Sequence, residues 1–213
     1  MGTLSIVATP IGNLEDITLR ALRVLKEADV VYAEDTRVAS KLLARYEIKV
    51  PLFRLDANVE KEKAKEIVDR LEVGEKIAYV SDAGTPGISD PGPRLVAYVR
   101  ENLPEAKIEA IAGPSALAAA ISIAGVQFDE FVFMGFLPHK KGRKTALGQI
   151  ASEKRTVILF ESVHRIEKLL NELHEVLNGG NVIIGRELTK MHEELLAGEP
   201  LELAEDLNRR GAV

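Results

Sequence analysis

One loop after a short apolar run holds the highest density of residues that could do chemistry. The segment Ser81–Pro93 contains three glycines and three prolines interleaved with serine, threonine and aspartate. Glycine lets a backbone approach a ligand closely, and proline limits the freedom of a loop. A merely structural turn needs only one or two such residues. We therefore expect this loop to bind a ligand.

Three further segments of this kind follow other apolar runs. Ala8–Leu14 is a second loop with glycine and proline, and Glu34–Arg37 supplies two carboxylates and a guanidinium. Gly113–Ala116 supplies a helix N-terminus, whose free N–H groups suit a carboxylate or a hydroxyl-rich ligand. Ligands bind outside the carboxyl ends of the strands in open α/β sheets, so we expect these loops to converge.

Two of these segments have a simpler interpretation that the sequence leaves open. Asp35 or Thr36 would cap a helix, and Asp35 with Arg37 would then form only a surface ion pair. The helix N-terminus at Ser115 indicates little alone, because every α/β helix has one.

A basic run after Pro138 could bind nucleic acid. Its members are His139, Lys140, Lys141, Arg143 and Lys144. Arg37, Lys41 and Arg45, four residues apart on a predicted helix, could extend this positive surface. The alternative is a solvated basic helix start. We expect the nearby Phe131, Phe133 and Phe136 to be core residues at alternate strand positions rather than platforms for base stacking.

Several classes of site are excluded by the residues present. The chain has no cysteine, which removes disulfides, thiolate metal sites and cysteine nucleophiles. The glycine signatures of dinucleotide-binding folds and of P-loop enzymes are also missing. His164, His174 and His192 lack the spacing of a zinc motif, so we expect no metal and a structural role for these histidines.

Short apolar runs alternate with amphipathic stretches, which is typical of an α/β protein. In the first half we expect strands over Leu4–Thr9, Val30–Ala33, Leu52–Leu55, Ile77–Ser81 and Ile108–Ile111. Of the helical patterns there, the first begins at Leu19, and the other two cover Lys41–Tyr46 and Asn58–Val73. The pattern changes near residue 113, and helices over 115–124, 143–152 and 163–177 then alternate with strands over 130–136, 156–160 and 181–186. The sequence thus predicts two α/β domains, 1–113 and 114–213.

Composition and charge indicate which partners and which cellular location to expect. The 213 residues carry a formal charge of -5, which argues against a surface that binds nucleic acid everywhere. The absence of cysteine and of a basic N-terminal leader predicts a cytoplasmic protein. The uncharged stretch Ala110–Phe128 is interrupted by Gly113-Pro114-Ser115, so we expect a packed helix there and no membrane span.

Seven segments, in this order, strongly resemble the bacterial small-subunit ribosomal RNA methyltransferase I family. They are Val7–Thr18, Glu34–Arg37, Ser81–Gly92, Gly113–Ala116, Gly135–Pro138, Phe160–Ile166 and Arg186–Lys190. This family belongs to the tetrapyrrole methylases, whose two α/β domains, each a sheet flanked by helices, hold S-adenosylmethionine in the cleft between them. The resemblance implies 2′-O-methylation of a decoding-centre cytidine in 16S rRNA within the 30S subunit, by a homodimer.

The resemblance also implies a set of cofactor-binding residues. They are Pro10, Gly84, Thr85, Ile88, Ser115, Ala116, Phe160 and Arg186. Val163 stands where the family usually has proline, and Ala124-Gly125 stands where it usually has Ser-Gly. The family usually continues past the position of Val213 into a last strand and an extension, so the resemblance implies a shortened second domain.

A methyl transfer to a ribose hydroxyl needs positioning and a group that accepts the proton. Glu34, Asp35 and Asp82 are candidates for the base, and Arg37 or Lys190 could orient a phosphate or polarise the hydroxyl. We favour Asp35 with Arg37 as the catalytic pair, because they share one strand end beside the predicted cofactor loops.

The predicted RNA-binding residues are Arg37, Lys41, Lys140, Lys141, Arg143 and Lys144. The alternatives are a methyltransferase of the same fold that acts on a tetrapyrrole or a protein side chain, and a non-catalytic RNA-binding module.

Overall fold

The computed structural model describes residues 1–55, 60–127 and 129–211, and residues 60 and 61 by their backbone alone. It divides into two compact units, Met1–Ala118 and Ala119–Val213. The sequence predicts the division a few residues earlier, after residue 113.

In the described part of the first unit, five parallel strands form one sheet. The strands are β1 (Thr3–Val7), β2 (Val30–Ala33), β3 (Leu52–Arg54), β4 (Lys76–Val80) and β5 (Lys107–Ile111). Their order across the sheet is β3-β2-β4-β1-β5. Each predicted strand of this half is therefore present, with ends within two residues of those expected from the apolar runs.

Helices cover both faces of this sheet because successive side chains of each strand point to opposite sides. Tyr32 and Tyr79 lie in a core with α3 (Glu60–Glu72) and α4 (Gly92–Asn102). Val31 and Ala78, their neighbours along the strands, lie in a second core with α1 (Leu19–Glu27) and α2 (Thr36–Arg45). The first unit is thus a three-layer α/β sandwich.

Three helix starts in this unit differ in how well the sequence predicts them. The Thr18 hydroxyl accepts from the Ala21 N–H at 3.0 Å, as expected of a helix cap. The prediction that the second helix begins at Lys41 is wrong, since α2 begins five residues earlier, directly after Asp35. The expected cap of the third helix, Asn58, lies outside the described residues.

The described part of the second unit contains two small sheets. Strands β6 (Phe131–Phe136) and β7 (Thr156–Phe160) pair in parallel, and β8 (Val182–Arg186) and β9 (Glu194–Gly198) pair antiparallel. Its helices are α6 (Arg143–Ser152), α7 (Val163–Val176) and α8 (Pro200–Arg209), and α5 (Ala116–Ile123) begins in the first unit. Strand β9 and helix α8 lie beyond the patterns read from the sequence.

Two of the three phenylalanines of β6, Phe131 and Phe136, are exposed and not core residues, contrary to expectation, while Phe133 is half-buried. Phe131 is 40% exposed and Phe136 is 51% exposed. A shift in register between Phe133 and Gly135 returns Phe136 to the face of Phe133, so both rings contact Phe160, with centroids 5.7 and 5.0 Å away. These three rings form an aromatic cluster at the end of β6 and β7.

In residues 1–55, 60–127 and 129–211, no helix combines the length and apolar character that crossing a bilayer requires.

Candidate functional site

Four loops leave the first sheet at the carboxyl ends of neighbouring strands. They follow β2, β4, β1 and β5, which lie side by side in that order. Because all these strands are parallel, the loops emerge at one edge, which we call the carboxyl edge. The topology therefore brings together Glu34–Arg37, Ser81–Pro93, Thr9–Leu14 and Ala112–Ser115, as the sequence predicts.

Backbone hydrogen bonds join the loops after β1 and β4. Thr9 and Gly84 exchange two N–H···O bonds, each 3.0 Å long, in an isolated antiparallel bridge. Gly84 has φ +78°, and a Cβ there would lie 3.2 Å from the Ile11 side chain and 3.6 Å from the Pro114 carbonyl. Only glycine fits this position without strain.

The loop after β5 is tied to the same place. The Thr85 hydroxyl donates to the Pro114 carbonyl at 2.9 Å. The Ser115 hydroxyl lies 3.5 Å from the Ala118 N–H, at the start of α5. Gly84, Thr85 and Ser115, three of the predicted cofactor residues, are therefore close neighbours, and Pro10 follows directly on the bridge.

A buried hydroxyl lies at the centre of this arrangement. Thr9 is only 3% exposed, and within the described chain its Oγ1 has no hydrogen-bond partner. A buried polar atom without a partner costs free energy unless a ligand or water satisfies it. The carboxyl edge thus offers a polar group that a ligand could use.

The Ser81–Pro93 loop is fixed internally by Asp90. One carboxylate oxygen accepts from the N–H groups of Gly87, at 2.6 Å, and Ile88, at 3.2 Å. The other accepts from the Gly92 N–H at 2.8 Å and from the Tyr79 hydroxyl at 3.4 Å. Sequence reasoning gave Asp90 no role, although an aspartate just before Pro91 and the start of α4 is a known turn and cap signal.

Asp35 and Arg37 form an ion pair at the end of β2. The Arg37 guanidinium donates to both oxygens of Asp35, and its own side chain is 87% exposed. Asp35 also caps α2 by accepting from the Arg37 N–H at 2.8 Å, while its own N–H donates to Asp82 at 2.9 Å. Asp35 is therefore a helix cap, and it also holds an exposed cation in place. The simpler interpretation, a helix cap with a surface ion pair, is thus compatible with a functional role for Arg37.

Hydrogen bonds from Arg37 lower the pKa of Asp35 from 3.8 to about 2. The pair also raises the pKa of Arg37. A carboxylate with so low a pKa is a weak proton acceptor at neutral pH. This geometry suits Asp35 to holding Arg37 in place more than to removing a proton.

Ile88, on the Ser81–Pro93 loop, and Ala116, the first residue of α5, lie in the first unit as well. The other two predicted cofactor residues lie in the second unit. Phe160 ends β7 and belongs to the aromatic cluster with Phe133 and Phe136. Arg186 ends β8 and pairs with Glu194, its cross-strand neighbour, which Arg210 also contacts. Their contact with a cofactor stays a prediction.

The basic run after Pro138 divides into exposed and buried members. Lys140, Lys141 and Lys144 are exposed, as is Lys41 on α2. Arg143 is only 6% exposed, and it donates to Glu172 at 2.8 Å and to the Pro138 carbonyl at 3.1 Å.

Assigning Arg143 to an RNA-binding surface is therefore wrong, because its guanidinium is buried and already paired. It lies 3.9 Å from Glu161, which in turn pairs with Arg165. Its two carboxylate partners, Glu161 and Glu172, are 18 and 29 positions away in the chain. The sequence near Arg143 therefore does not distinguish it from its exposed neighbours.

In the part of the chain that the structure describes, no group of three or more histidine, cysteine, aspartate or glutamate side chains could hold a metal ion. His164, His174 and His192 are exposed rather than core residues.

Comparison with known proteins identifies the fold and the family. The profile of the Tetrapyrrole (Corrin/Porphyrin) Methylases matches residues 3–204. The chain belongs to this family. A relative from Thermotoga maritima, Ribosomal RNA small subunit methyltransferase I, is 44% identical over 95% of this chain and 90% of its own length. Similarity this close and this complete makes the chain a methyltransferase of the same group.

Solved structures show the same architecture at low identity. Diphthine synthase superposes with a TM-score of 0.73 at 16% identity, over 96% of this chain and 84% of the other. Uroporphyrin-III C-methyltransferase from Thermus thermophilus, complexed with S-adenosylhomocysteine, gives 0.66 at 18%, over 96% of this chain and 91% of the other. The predicted fold class is thereby confirmed.

Proposed function

We propose that the chain transfers a methyl group from S-adenosylmethionine to the ribose 2′-hydroxyl of a decoding-centre cytidine in 16S rRNA. The Thermotoga maritima relative, named for the small-subunit ribosomal RNA, supports the substrate class. The structural observation that carries the proposal is the bridge between Thr9 and Gly84, because it joins the two loops that the family resemblance assigns to the cofactor.

The residues of the carboxyl edge fit the proposed cofactor. Gly84 lets the loops after β1, β4 and β5 approach one another closely, and the Thr9 hydroxyl is buried without a protein partner among the described residues. The proposed contacts are Pro10, Gly84, Thr85, Ile88, Ser115 and Ala116, together with Phe160 and Arg186. When bound, S-adenosylmethionine supplies a methyl group carried on a positively charged sulfur.

Asp35 and Arg37 are the proposed catalytic pair. Arg37 is exposed and held in a bidentate geometry, so its guanidinium can bind a phosphate or polarise a ribose hydroxyl. Asp35 fixes that guanidinium in place. Glu34 and Asp82, on the same edge, are the candidates for accepting the proton.

The proposed RNA contacts are Lys140, Lys141 and Lys144 in the second unit, with Arg37 and Lys41 in the first. All five side chains are exposed cations, which RNA phosphates attract. We propose that the acceptor is rRNA within the 30S subunit, that the protein works in the cytoplasm where this subunit is found, and that it acts as a homodimer. We also propose residue 113 as the end of the first domain.

The decisive experiment measures transfer of labelled methyl from S-adenosylmethionine to 30S subunits that lack the modification. Naked 16S rRNA serves as a second acceptor, and the label is mapped to a nucleotide and to its ribose or base. We expect one labelled cytidine ribose, and strongly reduced transfer with Arg37→Ala or Asp35→Asn. Label on a base or on a ribosomal protein would contradict the proposal.

A further inference from the structure

The Ser81–Pro93 loop has a conformation that its backbone would not adopt unaided. Ser89 has φ +123°, a region that residues other than glycine rarely enter, and Gly87 has φ +103°. For Ser89, unlike for glycine, such a conformation costs free energy and persists only where the surroundings impose it. Something in the loop must therefore hold residues 87–92 in place.

Asp90 is the group that does so. Its carboxylate accepts three backbone N–H groups, those of Gly87, Ile88 and Gly92, and the hydroxyl of Tyr79. Hydrogen bonds to a carboxylate are shorter and stronger than those between neutral groups. Tyr79 is fully buried in the core, so its hydroxyl links this carboxylate to the body of the first unit.

The backbone at Gly92 packs closely against Asp90 and Tyr79. A Cβ at Gly92 would lie 2.8 Å from the Asp90 carboxylate and 3.0 Å from the Tyr79 ring. The next helix, α4, begins at Gly92. Asp90 thus fixes the loop on one side, at α4, while the Thr9–Gly84 bridge fixes it on the other.

We infer that Asp90 is a positioning residue for cofactor binding, which holds Gly84–Ile88 in the conformation that receives S-adenosylmethionine. It acts through the loop backbone and touches neither the reacting atoms nor the acceptor. The inference rests on the proposed function, because that function assigns Gly84, Thr85 and Ile88 to the cofactor. Asp90 sets affinity for the cofactor and not the rate of transfer once it is bound.

The test compares Asp90→Asn, Asp90→Ala and Tyr79→Phe with the parent protein. Asp90→Asn keeps the size of the side chain but replaces one carboxylate oxygen by an NH2 group, which then faces either the N–H groups of Gly87 and Ile88 or the Gly92 N–H and the Tyr79 hydroxyl. Tyr79→Phe removes only the longest contact. Asp69→Asn, an exposed position on α3, controls for loss of one negative charge.

Calorimetric binding of S-adenosylhomocysteine and steady-state methyl transfer to 30S subunits are the two functional measurements. We expect Asp90→Asn to raise the dissociation constant and the KM for S-adenosylmethionine about tenfold or more, consistent with loss of charge-assisted hydrogen bonds. The kcat and the KM for 30S subunits should change less than about threefold, and the exposed control Asp69→Asn should resemble the parent. Tyr79→Phe should weaken cofactor binding less than Asp90→Asn does, because it removes one of the four contacts and leaves the three backbone ones. Unchanged cofactor affinity in both Asp90 variants would overturn the inference.

Amide hydrogen exchange of the ligand-free protein separates this inference from the proposed function. Exchange at Gly87, Ile88 and Gly92 should accelerate in Asp90→Asn, while exchange in β1 and β4 stays as in the parent. Protection unchanged at those three amides would overturn the inference even without any ligand. If the parent protein bound no S-adenosylhomocysteine, the proposed function would fail instead.

Discussion

The ion pair between Asp35 and Arg37 makes the stability of the folded protein depend on pH. Hydrogen bonds from Arg37 lower the pKa of Asp35 from 3.8 to about 2 in the folded protein. A carboxyl group whose pKa falls on folding contributes stability above its unfolded value, and that contribution disappears as pH falls through the folded value. The pair therefore stabilises fully above about pH 4 and loses its effect toward pH 2.

Comparison of Asp35→Asn with the parent protein tests this pH window. Asparagine still caps α2, so the variant removes the charge while it keeps the acceptor for the Arg37 N–H. We expect a difference in melting temperature that is constant from pH 5 to pH 8 and shrinks below pH 4. Thermal unfolding followed by circular dichroism across this range measures it. A difference that changed between pH 5 and pH 8 would mean that Asp35 titrates there.

The surroundings of Arg143 determine whether its charge lies on the surface or in a buried ion pair. The sequence presents it as one more cation in a basic run, but its guanidinium is buried between Glu172, Glu161 and the Pro138 carbonyl. Removing one partner of a buried ion pair leaves the other charge uncompensated, which typically costs about 3–5 kcal/mol.

We therefore expect Arg143→Ala to lower the free energy of unfolding by about 3 kcal/mol or more. Lys144→Ala, next along α6 but exposed, should leave stability unchanged. Urea denaturation of the two variants makes the comparison. Equal stability for both would show that the buried network does not stabilise the second unit.

At the scale of elements, the sequence predicts the strands and helices that an apolar pattern marks. It does not predict features that depend on contacts between distant parts of the chain. The three central strands of the first sheet, β1, β2 and β4, are short apolar runs that are mostly buried, so their positions are visible locally. The convergence of four loops followed from parallel topology alone. Strand β9 and α8 were missed, although Pro200 at the helix start and the spacing of Leu203 and Leu207 offered a signal.

Other features depend on contacts that no local pattern encodes. The register shift between Phe133 and Gly135 brings Phe136 beside Phe160, whereas simple alternation along β6 would place Phe136 on the opposite face from Phe133. The partners of Asp90 are mostly backbone N–H groups, which every sequence possesses. The convergence of the loops was therefore predictable from the sequence, while the hydrogen bonds that hold Ser81–Pro93 in place depend on the folded backbone.

Gly84 forms the bridge to Thr9, and it has a backbone conformation that favours glycine over every other residue. Gly84→Ala would introduce a Cβ at φ +78° and 3.2 Å from Ile11, so the Thr9–Gly84 bridge must shift. We expect a loss of about 1–2 kcal/mol from the left-handed conformation, and loss of most cofactor affinity from the displaced loop.

Gly74→Ala is the matched control for this substitution. Gly74 has φ +95°, so alanine meets a similar backbone strain, but a Cβ there has no atom within 4 Å among the described residues. Both variants should lose stability by similar amounts, while only Gly84→Ala loses binding of S-adenosylhomocysteine. Equal loss of binding in both would trace the effect to global stability and not to the carboxyl edge.

At the scale of the whole molecule, each unit has its own hydrophobic core. Over the residues that the structure describes, two buried clusters lie within the first unit and two within the second, and no cluster mixes them. The loops of the carboxyl edge and the exposed lysines after Pro138 thus belong to units with separate cores. Substituting those lysines should leave the carboxyl edge intact.

The net charge of -5 makes the position of the basic residues decisive for RNA binding. Charges farther from RNA than about 8 Å are largely screened at physiological salt. Cations that contact phosphates release counterions, so binding weakens with salt in proportion to the number of contacts. A protein with overall negative charge can still bind RNA through a few cations that meet the backbone.

The double variant Lys140→Ala, Lys141→Ala should therefore weaken binding to 30S subunits and lower the slope of log affinity against log salt by about 2. Lys65→Ala with Lys154→Ala removes the same charge at exposed positions elsewhere and should leave the slope unchanged. Binding measured from 50 to about 300 mM KCl, with S-adenosylhomocysteine present, gives both slopes. Equal effects of the two double variants would mean that total charge, and not the segment after Pro138, governs RNA binding.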